Sequence, residues 1–136
     1  MDVTLAVLAD YSNISREGKL NIMGIFDVIY SKVFPVLHPS MQLVMTFEIP
    51  RSELGIGKQI KVRLIDSDGG HVLELGGEIT FPGDKSSEMF VKSHHIVTFN
   101  NLMFSKPGDY SFHVLVGGDE KRTVRLKLVL LQEQSF

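Results

Sequence analysis

The chain has no cysteine and no tryptophan among its 136 residues, and each absence removes a class of chemistry. Without cysteine there are no disulfides, no thiol nucleophile and no thiolate metal site. Without tryptophan, the exposed aromatic platform that sandwich folds often use for sugars is lacking; of its three tyrosines, Tyr11 and Tyr30 flank strands and Tyr110 has a structural place in a corner. Charge of one sign is lacking as well. Fourteen Lys plus Arg stand against sixteen Asp plus Glu, a formal net charge of −2, so no long-range field draws in a polyanion and nucleic acid is not an expected partner. The densest basic stretch, Lys121, Arg122, Arg125 and Lys127, lies beside Asp119 and Glu120 and follows strand alternation, which is how a solvated outer face reads. Long apolar runs are missing too. The run Val3-Thr4-Leu5-Ala6-Val7-Leu8-Ala9 is too short for export or a membrane span and follows an acidic Asp2, so a cytoplasmic protein without membrane contact is expected.

Helical periodicity is absent beyond about ten residues, and alternation with period two appears almost everywhere instead. The fold class expected is all-β, an antiparallel sandwich of about eight strands, immunoglobulin-like, filling residues 1–136 as one domain. Its most informative stretch is Pro107-Gly108-Asp109-Tyr110-Ser111-Phe112-His113-Val114-Leu115-Val116. Tyr110, Phe112, Val114 and Val116 share one face of a strand, and Ser111 and His113 the other. A tyrosine after a Pro-Gly-Asp turn, two residues before a bulky apolar side chain, reads as a tyrosine corner.

Strands are expected over 3–10, 19–30, 41–50, around 58–65, over 71–80 and 89–99, and in a final hairpin turning at Gly117 to Glu120. Met41, Leu43, Met45 and Phe47 form one inward set; Val124, Leu126, Leu128 and Leu130 form another. Ser31 to Ser40, with Pro35 and Pro39, reads as an irregular crossover, because proline cannot donate to a central ladder. Pro82 to Ser87 reads as an exposed loop.

Candidate sites are few. Asp66-Ser67-Asp68-Gly69-Gly70 begins like a calcium loop, but Gly77 stands where the bidentate glutamate belongs, so a hairpin turn is the better reading. His94 and His95 are adjacent, and strand neighbours point to opposite faces, so one ion cannot easily take both; His94 with His113 or His71 is the remaining metal option. No Gly-x-Ser-x-Gly elbow, phosphate loop or His-Glu-x-x-His occurs. No catalytic residue, cofactor site or metal site is assigned, and an enzyme is not expected.

Surplus apolar surface is the feature with most to say about function. In Leu20 to Tyr30 both faces are apolar, with Met23, Ile25 and Ile29 opposite the expected inward set; Leu115, Val129 and Leu131 add to them at the C-terminal hairpin. Such residues on neighbouring strands form an interface patch, unless the Val33 to Leu37 crossover buries them. The function expected is a non-enzymatic protein-interaction or structural module that self-associates, a dimer being favoured, with another protein as a further possible partner. The alternative is a small-ligand or carbohydrate-binding domain using Tyr30, Phe34 and His38 beside the crossover.

Gly18-Lys19-Leu20-Asn21-Ile22-Met23-Gly24-Ile25-Phe26-Asp27, with Ala9-Asp10-Tyr11 before it and His38-Pro39 after it, resembles an uncharacterised bacterial family, a domain of unknown function. Asp66-Ser67-Asp68-Gly69 and Pro107-Gly108-Asp109-Tyr110-Ser111-Phe112 look like the same family's later landmarks, so the resemblance covers nearly the whole chain. It implies a small stand-alone β-rich bacterial protein, and it brings no activity, cofactor or catalytic residue with it.

Overall fold

Side chains alternate across a strand, so a segment that is apolar at every second position buries one face and wets the other. The computed structural model describes residues 1–83 and 89–132. In these residues such segments form nine strands: β1 (Asp2–Ile14), β2 (Leu20–Phe26), β3 (Val28–Ser31), β4 (Val36–Pro50), β5 (Gly57–Ile65), β6 (His71–Thr80), β7 (Phe90–Phe104), β8 (Gly108–Val116) and β9 (Asp119–Leu130). One 3-10 turn, Arg51–Glu53, separates β4 from β5. The first sheet runs β2-β1-β4-β7 and the second β3-β9-β8-β5-β6. Neighbours pair antiparallel, except β3, which lies parallel to β9.

The two sheets pack as a sandwich around one cluster. Met41, Leu43, Met45, Phe47 and Ile49 project from β4 against Ile60, Val62 and Leu64 of β5 and Phe112 and Val114 of β8, and all are buried. Each such side chain contributes about 1.5–3 kcal/mol by leaving water. Phe99 and Phe112 meet across the sandwich with ring centroids 5.4 Å apart.

Nine strands replace the eight expected, because Leu20 to Tyr30 is two strands and not one. At Asp27 the chain leaves the first sheet for the second, and the Asp27 carbonyl accepts from Lys127 N at 2.8 Å. Changing sheets reverses which parity faces the core. Phe26 packs inward from β2, then Ile29 packs inward from β3 and is only 8% exposed, while Tyr30 stands 61% exposed. The crossover is also shorter than expected, since β4 already begins at Val36. Pro39 fits within β4 because that end of the strand pairs only with β7, the ladder with β1 stopping at Gln42. Leu130 departs from its expected inward set at the end of β9 and is 45% exposed. Of the loop expected over Pro82 to Ser87, residues 84–87 lie outside the described residues.

The hairpin turns follow from their residues. Asp66 Oδ1 accepts from the backbone N–H of Asp68 at 3.0 Å and of Gly70 at 2.7 Å, and Gly69 takes a φ of +80° that a side chain would resist. The Lys106 ammonium bonds Asp68 from the next turn, and that bond raises the lysine pKa. Tyr110 closes the corner: its hydroxyl donates to the Lys106 carbonyl at 2.7 Å, and its ring stands edge-on to Phe104 at 5.0 Å. Tyr110→Phe leaves that carbonyl unpaired beside a buried ring, and is expected to cost about 1–2 kcal/mol in a urea melt. A change within experimental error removes the corner from the account.

Candidate functional site

The outer faces of the two sheets differ in kind. On the second sheet, residues pointing away from the core are polar and charged: Lys61 and Arg63 on β5, Asp109, Ser111 and His113 on β8, Arg125 and Lys127 on β9. That is the usual solvated side of an antiparallel sheet. On the first sheet the outward rungs read Leu5–Thr46–His94, Val7–Val44–Ile96 and Ile25–Ala9–Gln42–Thr98. Five apolar side chains of three types, with Ala9, fill the middle of this face, and no Lys, Arg, Asp or Glu interrupts them. Charge returns only at the Asp2–Glu48–Lys92 rung. The opposite border is a polar row in which Ser12 Oγ donates to Gln42 Oε1 at 2.5 Å and Gln42 Nε2 donates to Thr98 Oγ1 at 3.3 Å. His94 Nδ1 and Thr46 Oγ1 share a hydrogen bond of 2.8 Å inside the patch. An apolar centre with a satisfied polar rim is the pattern of an interaction surface.

The structure scatters the six residues that sequence reasoning grouped as an interface. Ile25 lies on the apolar face, 62% exposed, and Met23 is 65% exposed on the same edge strand, beyond a kink where Gly24 takes a φ of +71° against Asp10. The crossover covers neither. Ile29 is in the core. Leu115 belongs to the second sheet and is 9% exposed, because it lies directly opposite the long stem of Lys61. Val129 pairs with Tyr30, and Leu131 ties back through its N–H to the Ser31 carbonyl at 2.8 Å, both far along β9. Leu5, Val7, Ala9, Val44 and Ile96 were missed. Their signal was consecutive apolar residues, Leu5 to Ala9 and Leu43-Val44-Met45, where strict alternation should have placed polar ones.

Tyr30, Phe34 and His38 do not gather into a pocket. Tyr30 points outward from β3, Phe34 packs on the core, and His38 stacks on Phe26 at 6.1 Å. The hollows lie elsewhere. A groove of about 560 Å³ runs over β3, β9 and β8 and is lined by Asp27, Asp66, Asp109, Ser111, Arg125 and Lys127 among others. Its mixed charges favour no ligand of one sign. At its edge Ser111 Oγ and His113 Nε2 lie 2.7 Å apart, and His113 Nδ1 bonds Glu120, which also accepts from Thr123 Oγ1 at 2.7 Å. The order Ser–His–Glu is that of a hydrolytic relay. It lacks the other half of such a site. β8 is hydrogen-bonded to β5 on one side and β9 on the other, so its ladder leaves no pair of N–H groups aimed at an oxyanion beside Ser111.

A second hollow is apolar. It holds about 140 Å³ between the sheets, under β6, with Met45, Phe47, Ile60, Val62 and Val97 in its wall and His95 as its one titratable side chain. Burial, helped by the neighbouring His94, lowers the His95 pKa; Ser93 Oγ lies 3.1 Å from its Nε2, and Phe47 and Phe81 stand edge-on to it. His94 and His95 thus point to opposite faces, as strand neighbours do, and His113 is on the other sheet. Among the described residues no group of three His, Cys, Asp or Glu is placed to hold a metal ion.

The model of a family of unknown function (DUF6941) matches residues 4–129. No curated protein matches the sequence. Among solved structures, the chain is similar to the alkylpurine DNA glycosylase AlkC of Pseudomonas fluorescens, solved on DNA containing an abasic site analog. The identity is 12% and the TM-score 0.50, over 94% of this chain and 30% of the glycosylase chain. A glycosyl hydrolase family 2 member from Bacteroides cellulosilyticus aligns at 8% identity and a TM-score of 0.37, over 71% of this chain and 14% of its own. The chain spans about a third of the glycosylase, and the likeness is one of fold.

Glu120 gives the Ser111–His113 group on the second sheet a pH signature. The hydrogen bond from His113, then that from Thr123, holds its carboxyl below the usual 4.5. A depressed folded pKa stabilises above the unfolded value and is lost as pH falls through the folded one. Urea melts at about pH 6 and about pH 3 should therefore show a smaller acid loss in Glu120→Gln than in the wild type. Equal losses would mean the bond does not form in solution.

Proposed function

The chain belongs to that family of unknown function, which hands it no activity, and we propose that it is a non-enzymatic interaction module that pairs with a second copy of itself through the outer face of the first sheet. The observation that carries this reading is the uncharged apolar centre, Leu5, Val7, Val44, Ile96 and Ile25, on the outside of a sheet whose inside is already packed. Leu5, Val7 and Ile96 are half-buried there and Ile25 is 62% exposed, so covering the face would take further apolar surface out of water.

A second copy is the favoured occupant for a reason of symmetry. A two-fold interface brings each patch against itself, so a patch with one sign of charge repels its own image. This patch carries none between its borders, and the net charge of −2 leaves little repulsion between whole molecules. Size then sets the strength. Five residues at about 3.3 Å along four strands about 4.8 Å apart cover roughly 300 Å², well under the roughly 800 Å² per partner of a standard interface. The pair is accordingly weak and concentration-dependent.

An immunoglobulin-like reading of the strand order agrees with a binding role. The run β6-β5-β8-β9 matches the C′-C-F-G order of an immunoglobulin-like sheet, β4 against β7 matches the B–E pair, and Tyr110 stands where the tyrosine corner does. On this reading the sandwich is immunoglobulin-like, with β1 as an added strand between β2 and β4. A cytoplasmic location agrees with the absence of cysteine.

Light scattering coupled to size exclusion tests the proposal. The apparent mass should climb from monomer toward dimer as loading rises through roughly the micromolar range expected of a small interface. Ile25→Asp should hold it at the monomer, whereas Leu131→Asp on the other sheet should not. A monomer at every loading, or equal effects of the two substitutions, contradicts it.

A further inference from the structure

We infer that the apolar cavity under β6 is a binding site for a small uncharged aromatic molecule carrying one hydrogen-bonding group. Its shape depends on two adjacent glycines of β6 that differ in what requires them. Gly76 faces outward opposite Lys61, and a Cβ there would meet the Ile60 carbonyl at 2.8 Å, so backbone contact alone demands glycine. Gly77 faces inward opposite Ile60, and a Cβ there would meet nothing within 4 Å. Its φ is not among the positive ones, so neither crowding nor backbone conformation excludes a side chain. Valine or leucine at 77 would strengthen the strand and fill the hollow. Glycine keeps it open.

Size and lining define the occupant. About 140 Å³ is close to the volume of an engineered apolar cavity that takes up benzene, so one ring fits. Among the described residues the wall holds no Lys, Arg, Asp or Glu, and a charged ligand would shed its water without a counter-charge. Among the described lining residues, His95 alone has a side chain that forms hydrogen bonds. A neutral imidazole offers one donor and one acceptor; Ser93 engages Nε2, and among the described residues Nδ1 is the nitrogen left to meet a single polar atom. Leu75, 37% exposed on the edge strand, borders the cavity and marks its approach from solvent. Nothing in this argument rests on self-association, since the cavity lies between the sheets and the proposed interface outside them.

Phenol and benzene are the probes, and the Met45 methyl resonance, assigned through Met45→Leu, is the reporter. Both probes should shift it in the wild type, with phenol half-saturating at about one-fifth of the benzene concentration, the ratio of one net hydrogen bond. Gly77→Leu should abolish both responses and raise Tm; Gly77→Ala, a smaller intrusion, should weaken both. His95→Leu should keep the benzene response and lose the preference for phenol. No response to either probe overturns the site. Benzene binding as tightly as phenol overturns it too, being the mark of a packing void, as does a Gly77→Leu protein that still responds.

Discussion

β4 imposes the constraint on which the rest of this molecule depends, because it is buried on both faces. Inward it carries Met41, Leu43, Met45, Phe47 and Ile49, which meet the second sheet; outward it carries Val44 and Thr46, which have almost no exposure although no strand of the described residues lies over them. They are covered sideways, Val44 by Val7 and Ile96 in its rung and Thr46 by its bond to His94. The central strand of the first sheet is thus sealed by its own neighbours, and those neighbours, half-buried and apolar, form the surface that is left. The proposed pairing of two copies would cover that surface.

The second sheet meets water in the ordinary way. Arg63 bonds Glu74 at 3.1 Å, Glu120 gathers His113 and Thr123, and the stem of Lys61 lies opposite Leu115. Exposed ion pairs of this sort contribute little to stability and keep this face solvated. The Ser111–His113–Glu120 row sits on that solvated face, on a strand laddered on both sides, where the backbone N–H groups are already bonded to β5 and β9.

Much of the fold was legible in the sequence because its signals are local. Tyr110 with its turn, the Asp66 hairpin and the inward sets of β4 and β8 each depend on residues within a few positions of one another. The split of Leu20 to Tyr30 was not legible, since Asp27 carries no proline or glycine to announce a change of sheet, and the reversed parity that buries Ile29 and exposes Tyr30 follows from that one event. The apolar face was half legible. Ile25 was found from the two-sided pattern of its own strand, but Leu5, Val7, Val44 and Ile96 come from three strands whose order, β1-β4-β7, no local pattern encodes. Gly77 is the least legible of all: glycine inside a strand suggests a bulge or a close approach, which is true of Gly76 beside it, and only the space around it distinguishes the two.

The central claim is that the outer face of the first sheet is where two copies meet. It is tested most directly by intermolecular NOEs in a mixed sample, one half carrying labelled methyl groups and the other unlabelled, at a concentration high enough to populate the pair. The account predicts cross-peaks to the partner from the methyls of Leu5, Val7, Ile25 and Ile96, and none from Val129 or Leu131. Contacts confined to the second sheet, or no intermolecular contacts at millimolar concentration, would contradict it.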